Sequence, residues 1–481
     1  MTNHRSSALL AGLTALACAI SLAAGIPAAS AGTSATTATT AAAASGAKSL
    51  AIQARVPGQP PRSAVVLGGS YFSYPNNSSR TAIRNRVVRA INSTWGKYSV
   101  GGEVRRGKIY MTTWSFNDQG VRNALVEAAK RGTTVRIIAA QGINQRENYK
   151  PWKSLKSAFN RLKRGNFSTP DPHNIARECS GSCRGGGGTN HSKFFLFDDV
   201  GTSHVRNIVM QTSMNLTPFA FKGQWNQATV FRGEKFFNLY RLIHNQMSER
   251  RNRGGSAYVR RGVVGVTNVF FPGGSASRDP IMQMLSHVHC KGARSGATRI
   301  RVINYAIHDT RGNRIAKRLR NLWNAGCNVR IIYGVTSRPV LKILRSRSGR
   351  GAVPMKQNVI KNRRGEIVKY NHSKWLAISG YYGTNRNYWT ANAGSSNWSD
   401  LAYRSDEQHQ QFNGFDRTAT YFRNFDKTWN QGSAKPPRAG RMAVGATVDP
   451  QEAAVEEEAL EDVPMEPTFG KGIYKYMLEG G

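Results

Sequence analysis

The sequence predicts an α/β protein built twice: two β/α repeats on one chain, related by a pseudo-twofold axis. Three observations carry this. From Ser63 to about Trp429, short apolar runs alternate with amphipathic segments, the pattern of strands interleaved with helices. Four sequence blocks recur in the same order at offsets of 191, 194, 181 and 182 residues. A Gly/Arg-rich stretch, Arg251–Arg261, lies between the two sets and reads as their connection.

Residues 1–31 read as a secretory signal: Arg5, an apolar run from Ala8 to Gly25, and Ala29-Ser30-Ala31 before Gly32 as a small-residue cleavage site. The alternative is an uncleaved anchor, but the run is short for a membrane span and Cys18 has no clear lipobox. Residues 32–62 are Ala/Thr/Ser-rich and read as a disordered or stalk-like linker. Repeat 1 is expected over 63–255 and repeat 2 over 262–434, followed at 435–481 by an acidic, flexible tail. From Asp449 onward this tail holds nine Asp/Glu against two Lys.

The whole chain carries 68 Lys+Arg against 27 Asp+Glu, a formal charge of +41. Setting aside Arg5 and the −7 of the tail leaves +47 on residues 32–448. That favours polyanionic partners, whether nucleic acid, an anionic membrane surface or a wall polymer, and says nothing of fold. A hydrophobic content of 40% excludes a chain disordered throughout. After the signal no stretch holds 18 apolar residues, so the mature body is expected to be soluble; a monomer is expected. Of five cysteines Cys18 leaves with the signal, and an exported chain with four others suggests two disulfides. Among three pairings, Cys179–Cys183 with Cys290–Cys327 keeps each bridge within one half. The competing reading puts His287, His289 and Cys290 on a metal, without the second ligand pair such a site needs.

In the first block, Lys108 through Asp118 matches Arg299 through Asp309, each an apolar strand running into an acidic residue suited to cap a helix. In the second, Gly132 through Ile138 matches Gly326 through Ile332, where glycine ends the helix and a buried strand begins. In the third, Asn190-His191-Ser192-Lys193 matches Asn371-His372-Ser373-Lys374. The fourth pairs Ser213-Met214-Asn215 with Ser395-Ser396-Asn397. In a strand, residues two apart share a face, so each His points with its Lys. The downstream Ser and Asn offer a hydroxyl and an amide as further donors to oxygen.

Two facing halves therefore bring together two imidazoles, two ammoniums and two amides, with no cluster suited to a divalent metal. That set fits phosphodiester chemistry without metal or cofactor. One imidazole attacks phosphorus to give a phosphohistidine, and the other protonates the leaving oxygen and then activates water or an alcohol. Lys193, Lys374, Asn215 and Asn397 would stabilise charge on the non-bridging oxygens. Two coupled histidines predict a bell-shaped pH profile.

The His-x-Lys-x4-Asp unit of His191, Lys193 and Asp198 with its trailing Ser-x-Asn, present twice, resembles the phospholipase D superfamily over about residues 63–434. The resemblance implies a duplicated α/β/α sandwich with the active site between its halves, metal-independent catalysis and the phosphohistidine route. Two positions depart from the pattern: Ser379 stands where the second copy expects Asp, and Thr212-Ser213 stands where Gly-Ser is usual. The motif Asp is implied to be structural, so Ser379 weakens local support rather than the chemistry.

A third asymmetry aligns Gln224-Trp225-Asn226-Gln227 with Ser405-Asp406-Glu407-Gln408. The family places an acidic residue here to orient a catalytic histidine, often of the opposite half. A carboxylate favours the imidazolium, whereas an amide only orients the ring. Glu407 is thus expected to support His191 as nucleophile, leaving His372 as acid/base; the opposite assignment stays open.

The glycines Gly185–Gly188 read either as a mobile loop beside the active-site strand or as a phosphate cradle, although no P-loop Gly-Lys-Ser/Thr follows. The aromatics near the motifs read mostly as core. Phe219, Tyr381 and Tyr382, in turns, are candidates for a lipid interface or for stacking on bases. Three functions remain: a secreted phospholipase D acting on glycerophospholipids by hydrolysis or transfer, a secreted nuclease of the same superfamily, or a non-catalytic polyanion binder.

Overall fold

The computed structural model describes residues 57–62, 68–145, 147–164, 171–363 and 367–431. The signal peptide, most of the linker and the acidic tail lie outside the described residues.

In the first half, strand Lys108–Thr113 leads through helix Gln119–Lys130 to strand Thr134–Ala140, which pairs parallel to the first. Asp118 caps that helix as its sequence suggests, accepting from the Val121 amide at 2.6 Å. Gly132 ends it at φ 92°. The second half repeats the unit as Arg299–Ile307, helix Asp309–Asn324 and Asn328–Thr336.

Here one expectation is corrected, because Asp309 is not the cap. It lies inside the helix at φ 59° with its carboxylate on His308. Asp400 instead accepts from the amides of Thr310 and Arg311, at 3.2 and 2.8 Å. A carboxylate distant in sequence thus fills the position that a local one fills in the first half.

Among the described residues there are two nine-stranded sheets, one built around each motif, and the first includes strands Val359–Lys361 and Ile367–Asn371 from the second half. Six strands of one match six of the other in order: Gln224–Arg232, Ile208–Thr212, Phe194–Asp198, Lys108–Thr113, Thr134–Ala140 and Ile175–Cys179 against Glu407–Asn413, Asn385–Gly394, Lys374–Tyr382, Arg299–Ile307, Asn328–Thr336 and Met355–Gln357. This shared order is the pseudo-twofold relation in structural form.

The motif strands are apolar on both faces because both faces are covered. Phe195 and Phe197 pack outward under helices Ala82–Ser93, Gln119–Lys130 and Lys150–Arg164, while Phe194 and Leu196 face inward. In the second sheet Leu376 and Ile378 face outward, and Trp375 and Ala377 inward. Between the sheets lie helices Glu234–Glu249 and Phe415–Asn430, whose Tyr240, Ile243, Tyr421 and Phe425 belong to one core with residues of both halves. Each half is therefore an α/β/α sandwich sharing its inner helical layer with the other.

The halves also exchange backbone. Strand Ile367–Asn371 pairs parallel with Gln224–Arg232, setting Tyr370 against Gln224 and Asn371 against Trp225. Its counterpart is a single parallel bridge from Asn190 to Asp406. The disulfides are Cys179–Cys183 and Cys290–Cys327, the pairing expected within halves. With Cys290 bonded to Cys327, the alternative His287/His289/Cys290 ligand set loses its thiolate.

Candidate active site

Each motif histidine is placed by the other half's backbone. The His191 amide donates to the Asp406 carbonyl at 3.0 Å, and the His372 amide donates to that of Trp225 at 2.9 Å. The residue after each acceptor, Glu407 or Asn226, then lies beside the histidine ring. His191 Nδ1 bonds Glu407 Oε1 at 2.8 Å, and His372 Nδ1 bonds Asn226 Oδ1 at 3.2 Å. The cross-half pairing anticipated for Glu407 is therefore present, and so is its amide counterpart.

The serines serve this pairing rather than substrate. Ser395 Oγ donates to Glu407 Oε2, and Ser213 Oγ to Asn226 Oδ1 at 2.8 Å, so the expectation that these hydroxyls are oxygen-binding donors is corrected. Asn215 and Asn397 differ: neither amide oxygen has a hydrogen-bond partner among the described residues.

His191 precedes its strand, which begins at Phe194, while Lys374 opens the second. Both lysines fold back, Lys193 Nζ donating to the His191 carbonyl at 2.6 Å and Lys374 Nζ to that of His372 at 2.7 Å. Burial pushes the His191 imidazole down to about 4, against the pull of Glu407. Burial likewise pushes Lys193 down to about 7. His372 and Lys374 are driven well below their ordinary ranges by burial first and then by neighbouring cations. Burial alone would raise Glu407, but His191, Lys193 and Ser395 outweigh it and hold the carboxyl below the usual range. Four basic groups and one carboxylate thus share a buried space in which potential cations outnumber the negative charge, an arrangement that suits a phosphodiester anion.

Asp198 stands away from this centre, accepting a fork from Arg206 at 2.6 and 2.9 Å. Ser379 occupies the matching place and accepts a single bond from Arg299 at 3.1 Å. Two surface clefts of about 390 and 620 Å³ are lined by Lys108 and Arg206, at the strand ends remote from the histidines. Among the described residues no group of three His, Cys, Asp or Glu is arranged to hold a metal.

In the Gly185–Gly188 loop, the Gly185 amide is taken by Ser182 Oγ at 2.9 Å and so cannot cradle a phosphate. Gly188, at φ 67°, lies so close to the other half that a Cβ would meet the Arg404 carbonyl at 2.4 Å. Of the turn aromatics, Tyr381 packs at a tilt against His289 and Tyr382 stacks on Tyr388, at the strand end away from His372. Phe219 packs on Tyr370, next to the catalytic centre.

Sequence reasoning missed three features. Trp114 and Tyr305, equivalent in the first repeated block, flank His191 and His372 at 6.2 and 4.9 Å between ring centroids. Fully buried Arg311 holds the second Ser-x-Asn segment, donating to Ser396 Oγ and the Asn397 carbonyl at 2.8 Å each, while paired with Asp279. Gln227 and Gln408, the last residues of the two aligned tetrapeptides, contact the opposite lysines. Their matching positions were the available signal; for Arg311, whose charge looks solvent-facing in a helix, there was none.

The family described as "Cardiolipin synthase, PLD-like domain" matches residues 106–248, which contain the first motif copy. No curated protein matches the sequence significantly. Phosphatidylserine synthase of Haemophilus influenzae superposes with a TM-score of 0.50 at 12% identity, covering 76% of this chain and 88% of that one, a likeness of fold. Polyphosphate kinase of Porphyromonas gingivalis aligns at 11% identity and a TM-score of 0.47 over 76% of this chain, which spans about half (51%) of that enzyme. The phospholipase D family member Nuc of Salmonella typhimurium aligns at 20% identity and a TM-score of 0.27, over 38% of this chain and 96% of its own. Residues 106–248 thus carry a phospholipase D-like domain, and the His-x-Lys motif inside it recurs at His372 and Lys374 on the same polypeptide.

Proposed function

We propose that the protein is a secreted, metal-independent phospholipase D that hydrolyses glycerophospholipids, or transfers their phosphatidyl group to an alcohol, through a phosphohistidine. The observation that carries this is the unequal support of the two rings: a carboxylate on His191 and an amide on His372. His191 is the nucleophile. Its Nε2 lone pair forms a P–N bond as the P–O bond to the headgroup breaks, and His372 donates the proton to that leaving oxygen. Water or an alcohol then gives its proton to His372 and attacks phosphorus, breaking the P–N bond. Glu407 fixes the tautomer of His191 and opposes the charge it gains. The negative charge of the bound phosphodiester favours the protonated forms of His372 and the two lysines, against the burial that disfavours them. The two disulfides fit export to an oxidising compartment.

The charge of +41 supports a second reading, a secreted nuclease, because each neutralised phosphate adds salt-sensitive affinity. Purified protein in EDTA, given phosphatidylcholine vesicles and supercoiled plasmid, separates the two. Choline release lost in His191→Ala supports the lipase, and nicking lost in the same variant supports the nuclease. If neither product forms and His191→Ala behaves identically to the wild type, only the polyanion-binder reading is left. Recovery of the label on His372 rather than His191 after trapping with labelled substrate would reverse the assignment of roles.

A further inference from the structure

The backbone exchange that seats each histidine stops at that histidine, two residues before the catalytic lysine. After the Asn190–Asp406 bridge and the His191-to-Asp406 bond, the paired segments separate. The gap is spanned by the Gln408 side chain, which acts as a peptide would. Its Oε1 accepts from the Lys193 amide at 3.1 Å, and its Nε2 donates to the Lys193 carbonyl at 3.0 Å and the Thr212 carbonyl at 3.4 Å.

The other half repeats the arrangement. Gln227 Oε1 accepts from the Lys374 amide at 3.2 Å, and its Nε2 donates to the Gly394 carbonyl at 2.8 Å and the Lys374 carbonyl at 3.4 Å. Thr212 and Gly394 each precede the serine that supports the cross-half residue, Ser213 or Ser395. Both glutamines are fully buried.

We infer that Gln227 and Gln408 are a reciprocal pair of positioning residues, each setting the placement of the opposite half's catalytic lysine and, through it, the spacing between the two histidines. Three points separate this from incidental packing. The same contacts form twice, once in each half. Each carboxamide pairs with both backbone groups of one residue, which fixes its orientation and not only its distance. Each also ties the lysine to the segment bearing its own half's Ser-x-Asn, so one side chain sets three parts of the site. No other residue type offers donor and acceptor at this reach without adding charge to a site already crowded with titrating groups.

The inference rests on the proposed phosphodiesterase reading for its activity arm and on titration for an independent arm. Gln408→Met and Gln227→Met remove the carboxamide at nearly constant volume. Gln410→Met is the control: it is equally buried, two residues along the same strand, and bonded to Asn268 within its own half. With bis(p-nitrophenyl) phosphate, each positioning variant is expected to lose kcat by about 10- to 100-fold at nearly unchanged KM, while the control keeps it within about threefold. All three should lose thermal stability to a similar degree.

Independently of turnover, the His191 ring proton followed by NMR is expected to titrate at least about half a pH unit higher in Gln408→Met, as loosened packing admits water, and unchanged in Gln410→Met. A wild-type protein inert towards every phosphodiester would end the functional reading and leave the titration to decide the inference. Equal kcat losses in Gln408→Met and Gln410→Met, or equal His191 titrations if the wild type is inert, would overturn the inference.

Discussion

Replacing Lys193 by Met should make the protein more stable and inactive. The Lys193 side chain is wholly buried, and burial brings its amine down to about 7 from the ordinary lysine value of about 10.4. A depressed lysine means that between about pH 7 and pH 10 the unfolded chain holds a proton that the native chain does not, so native stability rises with pH across that window. At pH 7 the cost to the fold is about 4 kcal/mol. The hydrogen bond to the His191 carbonyl, at 2.6 Å, returns about 1–2 kcal/mol of it. Lys193→Met should therefore gain about 2–3 kcal/mol at pH 7, and the gain should shrink to nothing by about pH 10 as the unfolded lysine also loses its proton. Urea unfolding of both proteins with disulfides intact, at pH 7, 8.5 and 10, measures this. A variant no more stable than wild type at pH 7, or one whose advantage does not change with pH, would refute the reasoning. The first result would mean the amine is not held neutral by burial, and the second that only packing changed.

Glu407→Gln keeps a hydrogen bond to His191 but removes the charge, so single-turnover cleavage of bis(p-nitrophenyl) phosphate should slow by about 10²–10³-fold, against about tenfold for Asn226→Ala. Arg311→Met leaves Asp279 buried without its partner and should cost about 3–5 kcal/mol in urea unfolding, with Asp279→Asn in the same chain recovering part of the loss. Acid should destabilise the fold. Burial holds His191 and His409 down to about 4 and His244 to about 3, so below about pH 6.5 the unfolded state binds more protons and stability falls by about 1.4 kcal/mol per pH unit per histidine. Asp406, pushed up to about 7 by burial, works in the opposite direction, and thermal melts from pH 7 to 4.5 should show the histidines prevailing. Removing Cys290–Cys327, which closes 37 residues, should cost about 4 kcal/mol, against about 2 for the Cys179–Cys183 ring, by denaturant unfolding of double Ser variants.

Duplication was legible because repeats preserve spacing, and spacing needs no third dimension. The repeated His-Ser-Lys and Ser-x-Asn segments named both imidazoles, both lysines and both asparagines. One asymmetric tetrapeptide pair pointed to Glu407. The helix starts were legible only where the cap is local: Asp118 caps its own helix, while Asp309 resembles it in sequence and yields the role to Asp400, some 90 residues away. The serines were misread because a hydroxyl near a motif offers a donor whichever way it turns. Only the fold shows it turned towards Glu407 or Asn226.

The sequence by itself determined the chemistry available, since residue types at repeated intervals define which groups the site can hold. It also determined the charge, +41 over the chain, that biases the choice of partner. Tertiary structure alone decided how those groups act together. The halves exchange strand segments and share one inner core, so each histidine takes its partner, and each lysine its glutamine, from the opposite half. Contacts between residues up to 216 positions apart leave no periodicity in the chain, because closure of the two sheets around a common helical layer creates them, not the order of residues along either one.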